Sequence, residues 1–225
     1  MPRAARNTPG GYVYHVLNRA VGRMKIFRSD ADYAAFERVL EETQEIQQMR
    51  ICAWCLMPNH WHFVLWPVGD KDLSGFMQRL TNTHVRRWKV HKKQVGYGPL
   101  YQGRFKSFPV QTDDYFLQVV RYVERNALRA NLVQRAEDWR WSSLWRRVHG
   151  NAAQKALLCD WPVARPRLWR RLVNQPETEA ELVALRRAAN RGQPFGSERW
   201  TRATAAKLNL ESTLRARGRP KGPGG

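Results

Sequence analysis

Acidic residues are scarce in this 225-residue chain: 19 Asp and Glu face 39 Lys and Arg, for a formal net charge of +20. That imbalance favours a polyanion bound by counterion release, with nucleic acid the leading partner. Cysteine is scarcer still, Cys52, Cys55 and Cys159 being all there is. Three thiols, an odd number in a reducing compartment, argue against a disulfide framework and predict free cysteines. No apolar run approaches the roughly 20 residues that span a bilayer, and Met-Pro-Arg-Ala-Ala-Arg at the start lacks the apolar core of a signal peptide. A cytoplasmic, nucleoid-associated protein with no membrane partner is expected. Its basic residues are spread along the whole length, from Arg86-Arg87-Trp88-Lys89 to Arg165–Arg171 and Arg215–Lys221, and not gathered on one amphipathic face of the membrane-binding kind.

The chain does hold 43% hydrophobic residues and ten Trp, enough for a packed core and too much for a disordered basic protein. Tyr12 to Asn18 reads as a strand. A helix capped by Ser29 or Asp30 runs to about Gln48, with Tyr33, Phe36, Val39 and Leu40 on one face. Arg50–Leu56 and His60–Trp66 form two apolar runs around Met57-Pro58-Asn59, the pattern of a hairpin. Leu73 to about Lys92 is a second, strongly basic helix, broken by Gly96–Pro99, and Phe105–Val110 is a further strand. Thr112-Asp113-Asp114 then caps a helix reaching Asn126 or Leu128. The order β-α-β-β-α-β-α predicts an α+β, ferredoxin-like antiparallel sheet over residues 1–150. Prolines punctuate a smaller basic helical appendage over 151–210, with helical pieces at Glu177–Ala189 and Trp200–Leu208. A Gly/Pro-rich basic tail, 211–225, is expected to be disordered.

His60 and His62 are two apart on a strand, so both imidazoles point to one face and can share a metal ion. A His-x-His pair is weak by itself, because two core histidines would look the same. Tyr122 and Asn126, at i and i+4, lie on one face of a later helix, where a tyrosine beside a metal-bound phosphate is a candidate nucleophile and the amide a candidate ligand. Tyr115, seven residues earlier, is a rival on the same helix; the two tyrosines could equally be core aromatics. His15 either faces the His60/His62 side or sits in the core. Cys52 and Cys55 fall on opposite faces of a regular strand, which argues against their joining the histidines in a zinc site.

His60-Trp61-His62 on a strand, Gln102-Gly103-Arg104-Phe105, Tyr122-Val-Glu-Arg-Asn126 and Trp141-Ser142-Ser143, in that order, resemble the REP-associated tyrosine transposases, in the single-tyrosine, IS200-like branch of the HUH endonucleases. The resemblance spans about residues 11–148. It implies a strand transferase that cleaves and rejoins single-stranded DNA at hairpin sequences. His60, His62 and Asn126 would hold Mg²⁺ or Mn²⁺, and Tyr122 would attack to give a 5′-phosphotyrosine. The chain departs from the family in carrying Ala127 where many relatives have Pro, and Asn126 where insertion-sequence relatives have the longer Gln. Related enzymes form dimers; whether this chain does stays open.

For DNA contacts, Arg86, Arg87, Lys89, Lys92 and Lys93 could track phosphates, Trp88 or Tyr97 could stack on a base, and Arg104 and Lys106 lie close in sequence to the chemistry. Arg217 and Arg219, in Arg-Gly-Arg, are similar to a minor-groove arm. Two other classes remain: a non-catalytic single-strand binding module with the same fold, and an RNA-directed metal nuclease.

Overall fold

Alternating apolar residues place four antiparallel strands in one sheet: β1 (Val13–Arg19), β2 (Arg50–Met57), β3 (His60–Trp66) and β4 (Lys106–Val110), in spatial order β2-β3-β1-β4. The structure, a computed structural model, describes residues 7–215. On β3, Trp61, Phe63 and Leu65 face helices α1 (Asp30–Ile46) and α2 (Asp72–His91). The opposite face, carrying Val64 of β3 with Val13 and Phe108, packs against α3 (Asp114–Glu124) through Phe116, Val119, Val120 and Val123. This is the expected α+β, ferredoxin-like arrangement. Local chemistry sets its joints. Asp32 accepts backbone N–H bonds from Arg28 and Ser29 at the start of α1, Pro58-Asn59 turns β2 into β3, and the Asp113 carboxylate caps α3 by accepting from Tyr115 N–H.

The structure differs from the sequence reading at the β2 cysteines, at the end of the tyrosine helix and at Trp88. The β2–β3 register shifts between Ile51 and Ala53, so Cys52 is an extra residue in the strand, and Cys52 and Cys55 share the α3 face where a regular strand would separate them. The Cys52 and Cys159 sulfurs lie 3.6 Å apart as free thiols. The helix expected to run through Asn126 is interrupted at Arg125, and a separate turn, α4 (Asn126–Arg129), follows. Trp88 is buried and its indole N–H donates to Ile26 O, so it is core and not a stacking platform.

Beyond α4 come α5 (Ser143–His149), α6 (Ala152–Ala156), α7 (Trp169–Asn174), α8 (Glu179–Arg191) and α9 (Glu198–Leu208). Helix α8 starts two residues later than its pattern suggests because Thr178 and Glu181 form a reciprocal cap. This C-terminal region packs on the domain itself: Trp169, Val173 and Leu185 belong to the same apolar cluster as α3. It also runs along the sheet's outer strands. Trp141 O accepts from Leu56 N–H, Ile51 O accepts from Cys159 N–H, and Phe195 exchanges hydrogen bonds with Pro109 and Gln111 beside β4. Residues 211–213 form a short 3-10 turn whose Thr213 O accepts from Arg191, while Arg217 and Arg219 lie outside the described residues. No helix among the described residues is long and apolar enough to cross a membrane.

Candidate active site

His60 opens β3 directly after the Pro58-Asn59 turn, and that turn orients it. The Asn59 amide nitrogen donates to Arg23 O at 3.0 Å, which turns its Oδ1 toward His60 Nδ1 at 2.6 Å. An amide oxygen only accepts, so His60 carries its proton on Nδ1 and leaves Nε2 a bare lone pair. His62 is held by β1. Across the β1–β3 pairing His15 stands opposite Val64, diagonal to His62, and its Nε2 lies 2.9 Å from His62 Nδ1, with the rings nearly parallel. When His62 is the donor of that bond, its own Nε2 is bare as well. His15 Nδ1 has no hydrogen-bond partner, so the pair ends in the core.

Burial presses both His15 and His60 down to about 3, and lowers His62 well below its ordinary range; the charges of Arg19 and Arg129 add to the effect at His60 and His62. The imidazoles are therefore neutral at physiological pH, as metal ligands must be. Tyr122, on the last turn of α3, sets its ring edge-on to His62 at 5.8 Å and to His15 at 6.1 Å between centroids. Tyr115 turns away, against Phe195 at 5.4 Å. Asn126 opens α4, buried, with its Nδ2 unpartnered.

These residues fit a divalent ion. Two imidazole nitrogens with bare lone pairs, each fixed from behind by a hydrogen bond on the other ring nitrogen, are the arrangement that metal-bound histidines require. No group of three or more His, Cys, Asp or Glu gathers for a metal among the described residues; Asn126, the third ligand expected from the sequence, is an amide outside that set.

Two residues absent from the sequence reading belong to the site. Arg129 places its guanidinium 4.1 Å over the Tyr122 ring, and Glu177 accepts from Arg129 at 2.7 Å. Arg129 lies seven residues after Tyr122, the spacing of one helical face, and could have been found from it; Glu177 left no signal. Glu124, inside the motif but assigned no part, is fully buried on α3, accepting from Ser143 Oγ and Trp169 Nε1, each at 2.7 Å.

The expected DNA contacts separate. Arg104 and Lys106 line a cavity of about 370 Å³ with Asn18, Arg19 and Gln102, and Arg19 is paired in register with His60, so this opening adjoins the histidines. Arg104 also lines a groove of about 890 Å³ running past Gln78 and Asn82 of α2. Arg86 and Arg87 sit elsewhere on α2, with His91, and Arg87 is tied to Glu42 at 2.7 Å. Lys89 donates to Gly98 O, Lys92 pairs with Asp32, and Tyr97 is exposed.

Residues 10–126 match the family described as Transposase IS200 like. No curated protein matches the chain. Among solved structures, a REP-associated tyrosine transposase bound to a REP hairpin is similar in fold, with TM-score 0.54 and 19% identity over 74% of this chain and 96% of that one. A candidate transposase from Deinococcus radiodurans R1 matches at TM-score 0.40 and 19% identity, over 55% of this chain and 96% of that one.

Proposed function

Since the chain belongs to the IS200-like transposase family, we propose that it cleaves and rejoins single-stranded DNA at REP-type hairpins, with Tyr122 as nucleophile and His60, His62 and Asn126 holding Mg²⁺ or Mn²⁺. The observation that carries this reading is the Tyr122 ring edge-on to His62, beside two imidazoles whose Nδ1 atoms are already engaged. Once bound, the ion supplies Lewis acidity at the scissile phosphate. The Tyr122 hydroxyl gives up its proton as Oη bonds to phosphorus; the P–O3′ bond breaks, and the 3′ oxygen leaves as a hydroxyl, taking up a proton. The product is a 5′-phosphotyrosine that keeps the energy of the phosphodiester, so a 3′-hydroxyl attacking in reverse restores a strand. Arg104, Lys106 and Arg19, lining the cavity beside His60, would hold the flanking phosphates. The hairpin carried by the structural neighbour supports hairpin DNA as the partner class.

The test mixes end-labelled single-stranded hairpin oligonucleotides with the protein and Mn²⁺ and resolves covalent adducts on a denaturing gel. An adduct is expected that is lost with chelator and in Tyr122→Phe and kept in Tyr115→Phe. An adduct lost in Tyr115→Phe but kept in Tyr122→Phe reassigns the nucleophile. Binding without any adduct over a range of hairpins favours a non-catalytic single-strand binding module.

A further inference from the structure

We infer that Arg129 is a catalytic cation of the Tyr122 site, and that Glu177, in the C-terminal region beyond the matched family segment, is the positioning residue that holds it there; the inference rests on the strand-transfer reading above. The Arg129 guanidinium lies 4.1 Å over the Tyr122 ring, two of its nitrogens reach the Tyr122 backbone carbonyl at 3.5 Å, and it donates to Glu177 Oε1 at 2.7 Å. It thus packs on the face of the Tyr122 ring on one side and is anchored on the other.

The anchor is built, not incidental. The Glu177 side chain is only 4% exposed, and it is shared by Arg129 and by Arg125 at 3.2 Å. Arg121, one turn earlier, donates to Gln175 O and Pro176 O and pairs with Glu181 at 3.6 Å. Arginines at 121, 125 and 129 therefore collar residues 175–181 along one edge of the tyrosine helix. One carboxylate between two guanidiniums leaves a net positive charge at the site. It also means that Glu177 keeps a partner in Arg125 when Arg129 turns toward a phosphate.

The chemistry calls for such a cation. As Tyr122 attacks, negative charge grows on the non-bridging phosphoryl oxygens, and an ion held by His60 and His62 would supply Lewis acidity there. The Arg129 guanidinium, over the Tyr122 ring and with N–H donors beyond the one given to Glu177, is placed to meet the same charge from the tyrosine helix. Its flat face on the ring also limits how the phenol can rotate.

The experiment uses full-length protein, a labelled single-stranded hairpin oligonucleotide and Mn²⁺, and reads single-turnover adduct formation and hairpin affinity separately. In Arg129→Ala the adduct rate is expected to fall on the order of 10²–10³-fold, as for removal of a transition-state donor, with hairpin affinity little changed. Arg129→Lys should recover part of the loss, and so should guanidinium chloride added to Arg129→Ala. Glu177→Gln should slow the reaction about tenfold. An Arg129→Ala rate within about threefold of wild type, or a folded Arg129→Ala protein that guanidinium does not rescue, overturns the catalytic role. A second arm needs neither DNA nor metal: the Arg129 δ-methylene protons should show an upfield ring-current shift that disappears in Tyr122→Leu and shrinks in Glu177→Gln. Absence of that shift in wild type overturns the clasp. A wild-type protein that forms no adduct sinks the strand-transfer reading and the catalytic role with it, and the ring-current shift then decides the clasp on its own.

Discussion

Replacing Glu124 separates two opposed effects at one buried group. Its carboxyl is fully buried on the tyrosine helix, and burial raises its pKa; Ser143 Oγ and Trp169 Nε1 both donate to it at 2.7 Å. In Glu124→Gln the amide oxygen can take the Trp169 N–H. The amide nitrogen then faces Ser143 Oγ, whose own proton turns to Trp54 O, 3.2 Å away. The Trp169 and Ser143 donors both keep a partner and no charge is buried, so the Gln protein is expected to be at least as stable as wild type at pH 8. The sign with pH follows from the raised value: the folded carboxyl stays protonated above the ordinary 4.5, so wild-type stability is lost as pH rises from there, and the advantage of Gln grows with it. Glu124→Leu removes the acceptor and leaves the Trp169 N–H buried without a partner, at about 1–3 kcal/mol. Taking about 2 kcal/mol, and about 2–4 °C per kcal/mol for a chain of this size, Leu should melt about 4–8 °C below Gln. Scanning calorimetry of the three proteins at pH 5 and pH 8 measures this. Leu melting with Gln would show that the two donors are not held by this acceptor; Gln falling to the level of Leu at pH 8 would show that the charge itself stabilises.

Three further outcomes are expected. His84 is buried with Nδ1 2.7 Å from the Tyr101 oxygen, and burial pushes it down to about 3 from an ordinary 6.5, so it favours folding above 6.5 and the advantage is lost as pH falls toward 3. Urea titrations over that range should show His84→Gln with a pH slope flatter by about one proton, about 1.4 kcal/mol per pH unit. Trp88→Ala should cost about 3–5 kcal/mol of stability, because the ring is core, whereas Tyr97→Ala should leave the urea midpoint unchanged. Asn59→Ala frees the proton of His60 Nδ1, and calorimetric titration should find Mn²⁺ bound about 10–100-fold more weakly, with undiminished affinity refuting the role given to that amide.

The sheet and the histidine pair were legible because period-2 alternation fixes a face: His60 and His62 differ in parity from Trp61 and Phe63, and the core took the latter. The bulge at Cys52 was hidden, since no Gly or Pro marks it. Trp88 could have been read correctly: it continues the stripe of Leu73, Met77, Leu80 and His84 that α2 buries. The break at Arg125 was not visible, because no helix-breaking residue stands there. Glu177 was out of reach for another reason. Its partner Arg129 lies 48 residues earlier, and a contact made across a loop of that length has no local period to betray it.

The chain past residue 138 closes the margins of the sheet. On β2 the outward groups of Ile51, Cys52, Trp54 and Leu56 are engaged by Cys159, Trp161, Ser143, Trp141 and Trp139, and beside β4 the backbone of Pro109 and Gln111 is engaged by Phe195. An open strand margin is a template onto which another extended chain can add. At these positions the template is already used, so a second copy cannot add a strand along β2 or at the Pro109–Gln111 end of β4. Truncating the chain before residue 139 would uncover β2, and the expected consequence is assembly in register with itself, ending in aggregates and not in a smaller working enzyme.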